Sequence, residues 1–299
     1  MSHIFKGLSA FPITPCNAGG ALDTDCLQDL IRRLRGAEVD SIGLLGSTGT
    51  YAYLDRDTRH QATKAAAAVK GATPLIVGVG AIRTDQAVTL ARDAAAAGAD
   101  GLLLAPVSYT PLTEDEAYAH FIAVAEATDL PLCIYNNPST THFTFSHRLL
   151  HRLAVHPQIA AVKMPLPAQV TPAEDLARLR DLLPQDFVIG YSGDWGCGET
   201  LLAGADAFFT ALGGTLPQTF VNLARMAMAG DKDATAALEA RLAPLMQLCK
   251  DNGSLRLAYA LTDRLGLGEA VLPRPLLPMN DDAMTRLDRW LAETSDLAC

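Results

Sequence analysis

The sequence feature that most constrains the fold is a regular alternation of short apolar runs with amphipathic, helix-like segments. The runs are apolar almost throughout, which is typical of parallel strands buried on both faces. Eight of them occur, at residues 7–14, 41–46, 74–80, 101–106, 131–136, 159–165, 187–192 and 207–213. Eight strands joined by helices predict an α/β fold, a (β/α)8 TIM barrel.

A doubly wound parallel sheet is the alternative arrangement of the same elements. Its nucleotide-binding versions carry G-x-G-x-x-G directly after a strand, or G-x-x-x-x-G-K-[ST], and neither motif occurs in this chain. We therefore favour the barrel. In such barrels the active site lies at the carboxyl ends of the strands, so candidate functional residues are sought there.

Helix end signals support this reading of the segments between the runs. Thr113 and Glu116 have the spacing of a capping box. Asp55 is placed as an N-cap residue, and Gly98 as the glycine that ends a helix before the fourth run.

Beyond residue 230 the pattern is helical only, at residues 233–249, 254–265 and 281–294. No Gly/Ser-rich linker separates this part from the rest, so an independent domain is not expected. We predict a barrel over residues 1–230 and a C-terminal helical extension packed on it over 231–299. The extension would cover the side of the barrel or mediate assembly.

Composition narrows the function classes. The chain has 299 residues, of which 49% are hydrophobic and 19% charged, enough for a large core. A net charge of −9 without a basic stripe argues against nucleic acid as a partner. No apolar run reaches the roughly 18 residues of a membrane span, and the first residues lack a long apolar signal region. Membrane attachment and secretion are therefore not expected.

The cysteines bear on the compartment. Six are present, and no two of them have C-x-x-C spacing. Reduced thiols in a cytoplasmic protein are the expectation. The cysteines are residues 16, 26, 133, 197, 249 and 299.

Lys163 is the most informative residue for function. Of the six lysines it alone lies inside a buried apolar run, at residues 159–165. Burying an ammonium is costly, and desolvation favours the neutral amine, which attacks carbonyl carbons to form Schiff bases. The structural alternative is a lysine that snorkels or forms a salt bridge at the rim of the barrel.

Tyr135 strengthens the functional interpretation of Lys163. It ends the fifth run, next to the sixth, and neighbouring strands lie about 4.8 Å apart. A phenol and an amine can therefore converge on one substrate atom, where the phenol would relay protons during imine formation. An aromatic side chain that merely fills the mouth of the barrel is the alternative.

Polar residues that follow three other runs are candidates for substrate binding. Ser47 and Thr48, in the turn Gly46-Ser47-Thr48-Gly49, offer hydroxyls and backbone N–H groups suited to a carboxylate. Gly190 and Ser192 belong to the seventh run. The stretches Ser192-Gly193-Asp194 and Gly213-Gly214 also lie where many barrels bind phosphate, but neither contains a lysine or arginine.

Three histidines carry weaker signals. His147 and His151 have the i, i+4 spacing of helix-borne metal ligands, but they lack the glutamate of H-E-x-x-H, so no metal site is predicted. His142 follows the fifth run and could reach the mouth of the site, although an ordinary loop histidine is the simpler interpretation.

Taken together, these motifs resemble the dihydrodipicolinate synthase/N-acetylneuraminate lyase family over essentially the whole chain. The resemblance rests on five stretches in this order: Pro12-Ile13-Thr14-Pro15, Gly46-Ser47-Thr48-Gly49, Tyr135-Asn136-Asn137-Pro138, Val162-Lys163 and Ser192-Gly193-Asp194. It implies a barrel with a C-terminal helical extension and a homo-oligomer, a tetramer or a dimer. It also implies that Lys163 forms a Schiff base with pyruvate or another 2-oxo acid, that Tyr135 relays protons, and that Ser47 and Thr48 hold the keto-acid carboxylate.

The chain departs from the synthases of that family around the second substrate. Thr140 stands where they have an arginine that grips a carboxylate, and Thr50 where the family has glutamate. Val107 and Ser108 replace a tyrosine pair, so Tyr109 would serve only if the loop shifts by one residue. Met164 follows the lysine in place of an acidic or small residue. Thr140 and Tyr109 are accordingly candidate substrate-binding residues of altered specificity.

The sequence therefore predicts a class I, Schiff-base lyase. It would cleave or form a carbon–carbon bond of a 2-oxo acid, or dehydrate a 2-keto-3-deoxy acid, without a cofactor or metal ion, because the imine is the electron sink. Authentic dihydrodipicolinate synthase, which condenses pyruvate with aspartate semialdehyde, and a non-catalytic keto-acid-binding barrel are the alternatives. Since Thr140 offers only a hydroxyl, we expect an uncharged distal end on the substrate and weak synthase activity; only His142, if protonated, stands out in the sequence as a substitute cation.

Overall fold

The computed structural model describes residues 4–298 and confirms the (β/α)8 barrel. Eight strands are hydrogen-bonded in chain order, all pairs are parallel, and the last strand pairs with the first. The strands are β1 (Gly7–Ala10), β2 (Ser41–Leu44), β3 (Leu75–Gly78), β4 (Gly101–Leu104), β5 (Leu132–Tyr135), β6 (Ile159–Pro165), β7 (Val188–Ser192) and β8 (Ala207–Thr210).

Helices follow the strands and surround the barrel. Those of the barrel part are α1 (Thr24–Gly36), α2 (Arg56–Val69), α3 (Thr84–Ala96), α4 (Glu114–Ala125), α5 (Pro138–Thr141), α6 (His147–Ala154), α7 (Pro172–Leu182), α8 (Cys197–Leu202) and α9 (Pro217–Met228). Those that follow are α10 (Lys232–Asn252), α11 (Ser254–Arg264) and α12 (Asp281–Glu293).

The predicted helix ends are present. The Thr113 side chain accepts from the Glu116 backbone N–H and the Glu116 side chain from that of Thr113, so the capping box of α4 is complete. The Asp55 carboxylate accepts from the Thr58 N–H at 2.8 Å and caps α2. Gly98 follows α3 with φ +98°, a left-handed conformation that glycine adopts without strain.

Most strands are shorter than the apolar runs that predicted them. The run at 7–14 yields a strand that ends at Ala10. Phe11 N–H still bonds to the Thr210 carbonyl at 2.9 Å, but Pro12 has no N–H with which to continue the ladder. The residues beyond the strand ends remain buried because they turn over the carboxyl end of the barrel, where the candidate site lies.

Strand alternation explains the continuous apolar character of the runs. In β5, Ile134 packs outward in the cluster shared with the helices, whereas Tyr135 belongs to the cluster inside the barrel. In β6, Val162 is outward and Ala161 inward. Because side chains on a strand repeat every second residue, Lys163 shares the inward face with Ala161.

The C-terminal extension is anchored to the barrel part. Helix α10 packs against α8, α9, α11 and α12. The Thr219 hydroxyl donates to the Leu297 carbonyl at 2.7 Å, and the Trp290 indole N–H to the Arg241 carbonyl at 3.1 Å. The three helices match the predicted positions to within a few residues. The division into two parts at residue 230 stays a prediction.

Two further expectations concern the chain as a whole. Within residues 4–298, no helix combines the length and apolar character needed to cross a bilayer. The five cysteines of that range are buried and carry no disulfide. Cys299 lies outside the described residues. So do the first three residues, which formed part of the segment expected to lack a signal region.

Candidate active site

Lys163 lies at the floor of a cavity at the carboxyl end of the barrel. Its side chain is 6% exposed, and its Nζ is 4.2 Å from the ring centroids of both Phe11 and Tyr135 and 5.7 Å from that of Phe209. Aromatic faces within about 6 Å attract a cation. We call these three rings the aromatic cage. Among the described residues no carboxylate forms an ion pair with this amine.

Tyr135 stands directly opposite Lys163 in the register between β5 and β6. Its hydroxyl accepts a hydrogen bond from the Asn137 side-chain amide at 2.9 Å and lies 3.3 Å from the Ser47 hydroxyl. Because Asn137 fills an acceptor position, the phenol's own proton is left for Ser47 or for a substrate. This arrangement suits a group that passes protons to and from a substrate held at Lys163.

The turn that carries Ser47 and Thr48 is built for close approach to the cavity. Leu45 and Thr50 flank it in the left-handed region, at φ 55° and 52°. A Cβ on Gly46 would lie 2.6 Å from the Phe11 ring, so glycine there lets the turn pack against the aromatic cage. The backbone and two hydroxyls are thereby brought over the floor of the barrel.

Six of the eight site residues chosen from the sequence line one cavity of about 690 Å³. They are Lys163, Tyr135, Ser47, Thr48, Thr140 and Ser192. The Thr140 hydroxyl accepts from the Asn137 amide at 2.9 Å, so Asn137 joins Thr140 to Tyr135. The volume is that of a small-molecule site.

The other two residues lie elsewhere. Tyr109 is 93% exposed on the loop after β4 and does not line the cavity of its own chain. Gly190 pairs in register with Lys163 from β7, beneath the cavity. A Cβ on Gly190 would lie 2.6 Å from the Phe209 ring and 2.9 Å from the Ala207 carbonyl oxygen. Gly190 thus makes room for the aromatic cage, and contact with substrate stays a prediction.

Asp194 is a buried carboxyl that the sequence did not single out as a site residue. It is 4% exposed, lines the cavity, and accepts hydrogen bonds from the Thr210 hydroxyl and, at 3.1 Å, from the Leu212 N–H. Burial raises its pKa above the ordinary value, while those hydrogen bonds and the charge of Lys163 act in the opposite direction. The carboxyl holds the turns after β7 and β8 together.

The same contacts weigh against phosphate binding after β7 and β8. The Ser192 hydroxyl donates to the Met164 carbonyl at 3.2 Å, and the Gly213 N–H donates to the Thr210 hydroxyl at 2.8 Å. Asp194 places a carboxyl where a phosphate would need donors. A Cβ on Gly214 would clash with the Phe11 carbonyl oxygen, so this turn packs closely against the residues after β1.

The histidines stay apart from the cavity. His142 has left-handed backbone (φ 55°) after α5, and His147 and His151 lie on α6; none of the three lines the cavity. Within residues 4–298, no group of three or more His, Cys, Asp or Glu side chains is arranged to hold a metal ion.

Comparison with known proteins places this site in a family. The family model described as the dihydrodipicolinate synthetase family matches residues 4–294. The chain belongs to this family. Its members are lyases, and the chain is therefore an enzyme of the dihydrodipicolinate synthetase family, as its motifs predicted.

Individual relatives extend over the whole chain. The 4-hydroxy-tetrahydrodipicolinate synthases of Alcanivorax borkumensis and Xanthomonas axonopodis pv. citri are each 32% identical to it, and the alignments cover 95% and 96% of this chain and 96% and 94% of the relatives. A crystal structure of dihydrodipicolinate synthase from Agrobacterium tumefaciens is 54% identical, with a TM-score of 0.95, and covers 97% of this chain and 98% of that one.

In this member of the dihydrodipicolinate synthetase family, the C-terminal extension also lines the site. Cys249, Lys250 and Ser254, from the end of α10 and the start of α11, form one wall of the cavity mouth. Trp195 also lines the cavity, and its ring centroid is 5.5 Å from Lys250 Nζ. Sequence reasoning missed these residues because an isolated lysine near the end of a polar helix carries no signal of what it faces.

Proposed function

We propose that the chain is a class I lyase in which Lys163 forms a Schiff base with pyruvate or another 2-oxo acid. The observation that carries the proposal is the register pairing of Tyr135 with Lys163 at the floor of the cavity, with the lysine Nζ 4.2 Å from the tyrosine ring. A buried amine beside a phenol is the arrangement that imine chemistry requires.

The steps follow from the geometry. The neutral Lys163 amine attacks the keto carbon, and Tyr135 delivers a proton to the keto oxygen as the carbinolamine forms. Tyr135 takes a proton back from the nitrogen and delivers it to the hydroxyl, which leaves as water and gives the iminium. The iminium accepts the electron pair when the C3–C4 bond of the 2-oxo acid breaks. In the direction of bond formation, it first loses a C3 proton to the Tyr135 phenolate, and the resulting enamine attacks the aldehyde. Ser47 and Thr48 bind the keto-acid carboxylate through hydroxyl and backbone N–H groups.

Trapping the imine tests this proposal. Borohydride added with pyruvate should leave one reduced adduct, which peptide mass spectrometry should place on Lys163. Lys163→Ala should abolish trapping and keep the fold, because it removes a buried amine that lacks an ion pair. Lys64→Ala, an exposed change on α2, is the matched control and should be trapped like the wild type. An adduct on another lysine, Lys250 included, or no adduct with any keto acid, would sink the mechanism.

Authentic synthase activity is the second candidate, because relatives about one-third identical are 4-hydroxy-tetrahydrodipicolinate synthases. Against it stands Thr140, whose hydroxyl occupies the place of a carboxylate-binding arginine, and no arginine lines the cavity within the described residues. Comparing kcat/KM for pyruvate plus aspartate semialdehyde with that for 2-keto-3-deoxy acids separates the two activities. A synthase value near 10⁴ M⁻¹s⁻¹, in the ordinary enzyme range of about 10⁴–10⁸, would favour the synthase.

Assembly and location complete the proposal. We retain a homo-oligomer, a tetramer or a dimer, and a cytoplasmic location as expectations from the sequence. Light scattering coupled to gel filtration measures the first, and a mass equal to one chain of 31.7 kDa would contradict it.

A further inference from the structure

The mouth of the cavity carries a second ammonium group. Lys250 lies near the end of α10 and lines the cavity, with its Nζ 5.5 Å from the centroid of the Trp195 ring. The Trp195 side chain is large and 43% exposed, so the pair forms a rim with one apolar and one cationic component. A cation over an indole face is held there by a modest attraction.

The charges that line the cavity are unbalanced. Within the described residues they are Lys163, Asp194 and Lys250. Asp194 is buried and satisfied by Thr210 and Leu212, and burial disfavours its charged form. The carboxylate of a bound 2-oxo acid neutralises the charge that persists at Lys163 in the iminium. Lys250 is then left without a partner, since no carboxylate of residues 4–298 lies within ion-pair distance of it.

We propose that Lys250 binds an anionic group at the far end of the substrate and so determines specificity at the cavity mouth. The inference rests on the proposed function, because it takes the reacting carbon to be held at Lys163. The cavity that both lysines line also offers neutral hydrogen-bonding groups from Asn137, Ser139 and Thr140. The substrate class is therefore a 2-oxo acid, or an aldehyde that condenses with one, whose chain ends in a carboxylate and carries hydroxyls in between.

This inference differs from the expectation drawn from Thr140. From the sequence, Thr140 in place of arginine argued for an uncharged distal end, with His142 as the candidate substitute cation. His142 does not line the cavity, whereas Lys250 does, from a part of the chain more than 100 residues away. Thr140 and Lys250 recognise different parts of one substrate molecule. Thr140 binds a hydroxyl near its middle, and Lys250 binds the anion at its end.

The test compares aldehydes matched in length. Each ω-carboxylate aldehyde of four to six carbons is paired with the neutral aldehyde of the same carbon number, and condensation with pyruvate is measured. The wild type should prefer the acid of the best-fitting length by about two- to fivefold in kcat/KM, the effect of one solvent-exposed ion pair of up to about 1 kcal/mol. The preference should weaken in high salt, because the ammonium is exposed.

Substitutions assign that preference to one side chain. Lys250→Met should bring each acid to the rate of its neutral partner, through a rise in KM more than a fall in kcat. Lys250→Arg should keep the preference, and Lys232→Met, an exposed change at the start of α10, should match the wild type.

The outcomes separate this inference from the proposed function. If the wild type shows no borohydride trapping of pyruvate at Lys163, the proposed function fails. If trapping occurs but acids and neutral aldehydes react equally, or if Lys250→Met keeps the preference, the assignment to Lys250 is overturned.

Discussion

Tyr135 and Lys163 face each other across two adjoining strands, and the amine Nζ lies 4.2 Å from the centre of the phenol ring. The phenol is fixed from its other side by Asn137 and Ser47. One residue thus both shields the amine and carries an exchangeable proton, so removing the hydroxyl alone separates the two roles.

Tyr135→Phe should keep the ring in the aromatic cage and lose the proton relay. We expect kcat to fall by about 10²- to 10⁴-fold, the usual contribution of general acid–base catalysis, while borohydride trapping of pyruvate persists at a lower rate. Tyr118→Phe, on α4 and away from the cavity, is the control. A kcat close to that of the wild type would show that another group moves the proton.

Gly190→Ala tests whether the absence of a side chain in β7 shapes the site. The added methyl would lie 2.6 Å from the Phe209 ring and 2.9 Å from the Ala207 carbonyl oxygen, so the ring or the strand must shift. We expect the free energy of unfolding to fall by about 1–3 kcal/mol, as for other overpacked cores, and activity to fall with it. Gly36→Ala at the end of α1, where a methyl meets no atom within 4 Å, should be neutral or slightly stabilising in denaturant titration.

Turnover should not depend on a divalent cation. The iminium itself accepts the electron pair, so the proposed chemistry needs no Lewis acid. The measurement is kcat before and after exhaustive dialysis against a chelator. Activity that is lost on dialysis and restored by a divalent ion would indicate a metal-dependent aldolase instead.

His120 should make stability depend on pH. It is buried on α4 with its Nδ1 2.9 Å from the Thr84 hydroxyl, and burial lowers its pKa below the ordinary value. The unfolded chain therefore binds this proton at a higher pH than the folded chain does. The free energy of unfolding should fall as pH drops from about 6.5 towards the lowered pKa, and this contribution should be constant above that window.

Denaturant titrations between pH 7.5 and 5 measure this slope. His120→Gln should lose less stability over the interval than the wild type does, whereas His151→Gln, at an exposed position on α6, should follow the wild-type curve. Equal slopes for His120→Gln and the wild type would contradict the assignment.

The sequence predicted the barrel well because its signal is local. A strand buried on both faces is apolar at nearly every position, so each of the eight apolar runs predicted a strand. For the same reason, a lysine inside such a run was recognisable as unusual. The strand ends were less well predicted, because residues such as Phe11 stay apolar and buried after the ladder has ended.

The rest of the site depends on contacts between distant parts of the chain. Nothing in the residues around Lys250 indicates that the end of α10 lines the cavity beside Trp195. Gly190 likewise appears as a small residue in a strand until the neighbouring Phe209 ring is known. The roles expected for Tyr109 and Thr140 came from family motifs. Those motifs show which family residues are absent from this chain, but not which other residues recognise the substrate instead.

The aromatic cage has a consequence for the energy of reorganisation during turnover. A carboxylate in ion-pair contact with Lys163 would have to release the nitrogen before each attack on a keto carbon. The faces of Phe11, Tyr135 and Phe209 stabilise positive charge through fixed quadrupoles and need no reorientation when it appears or vanishes. Positive charge can therefore form at the nitrogen in the iminium, and be lost when the imine is hydrolysed, without a rotation of these three rings.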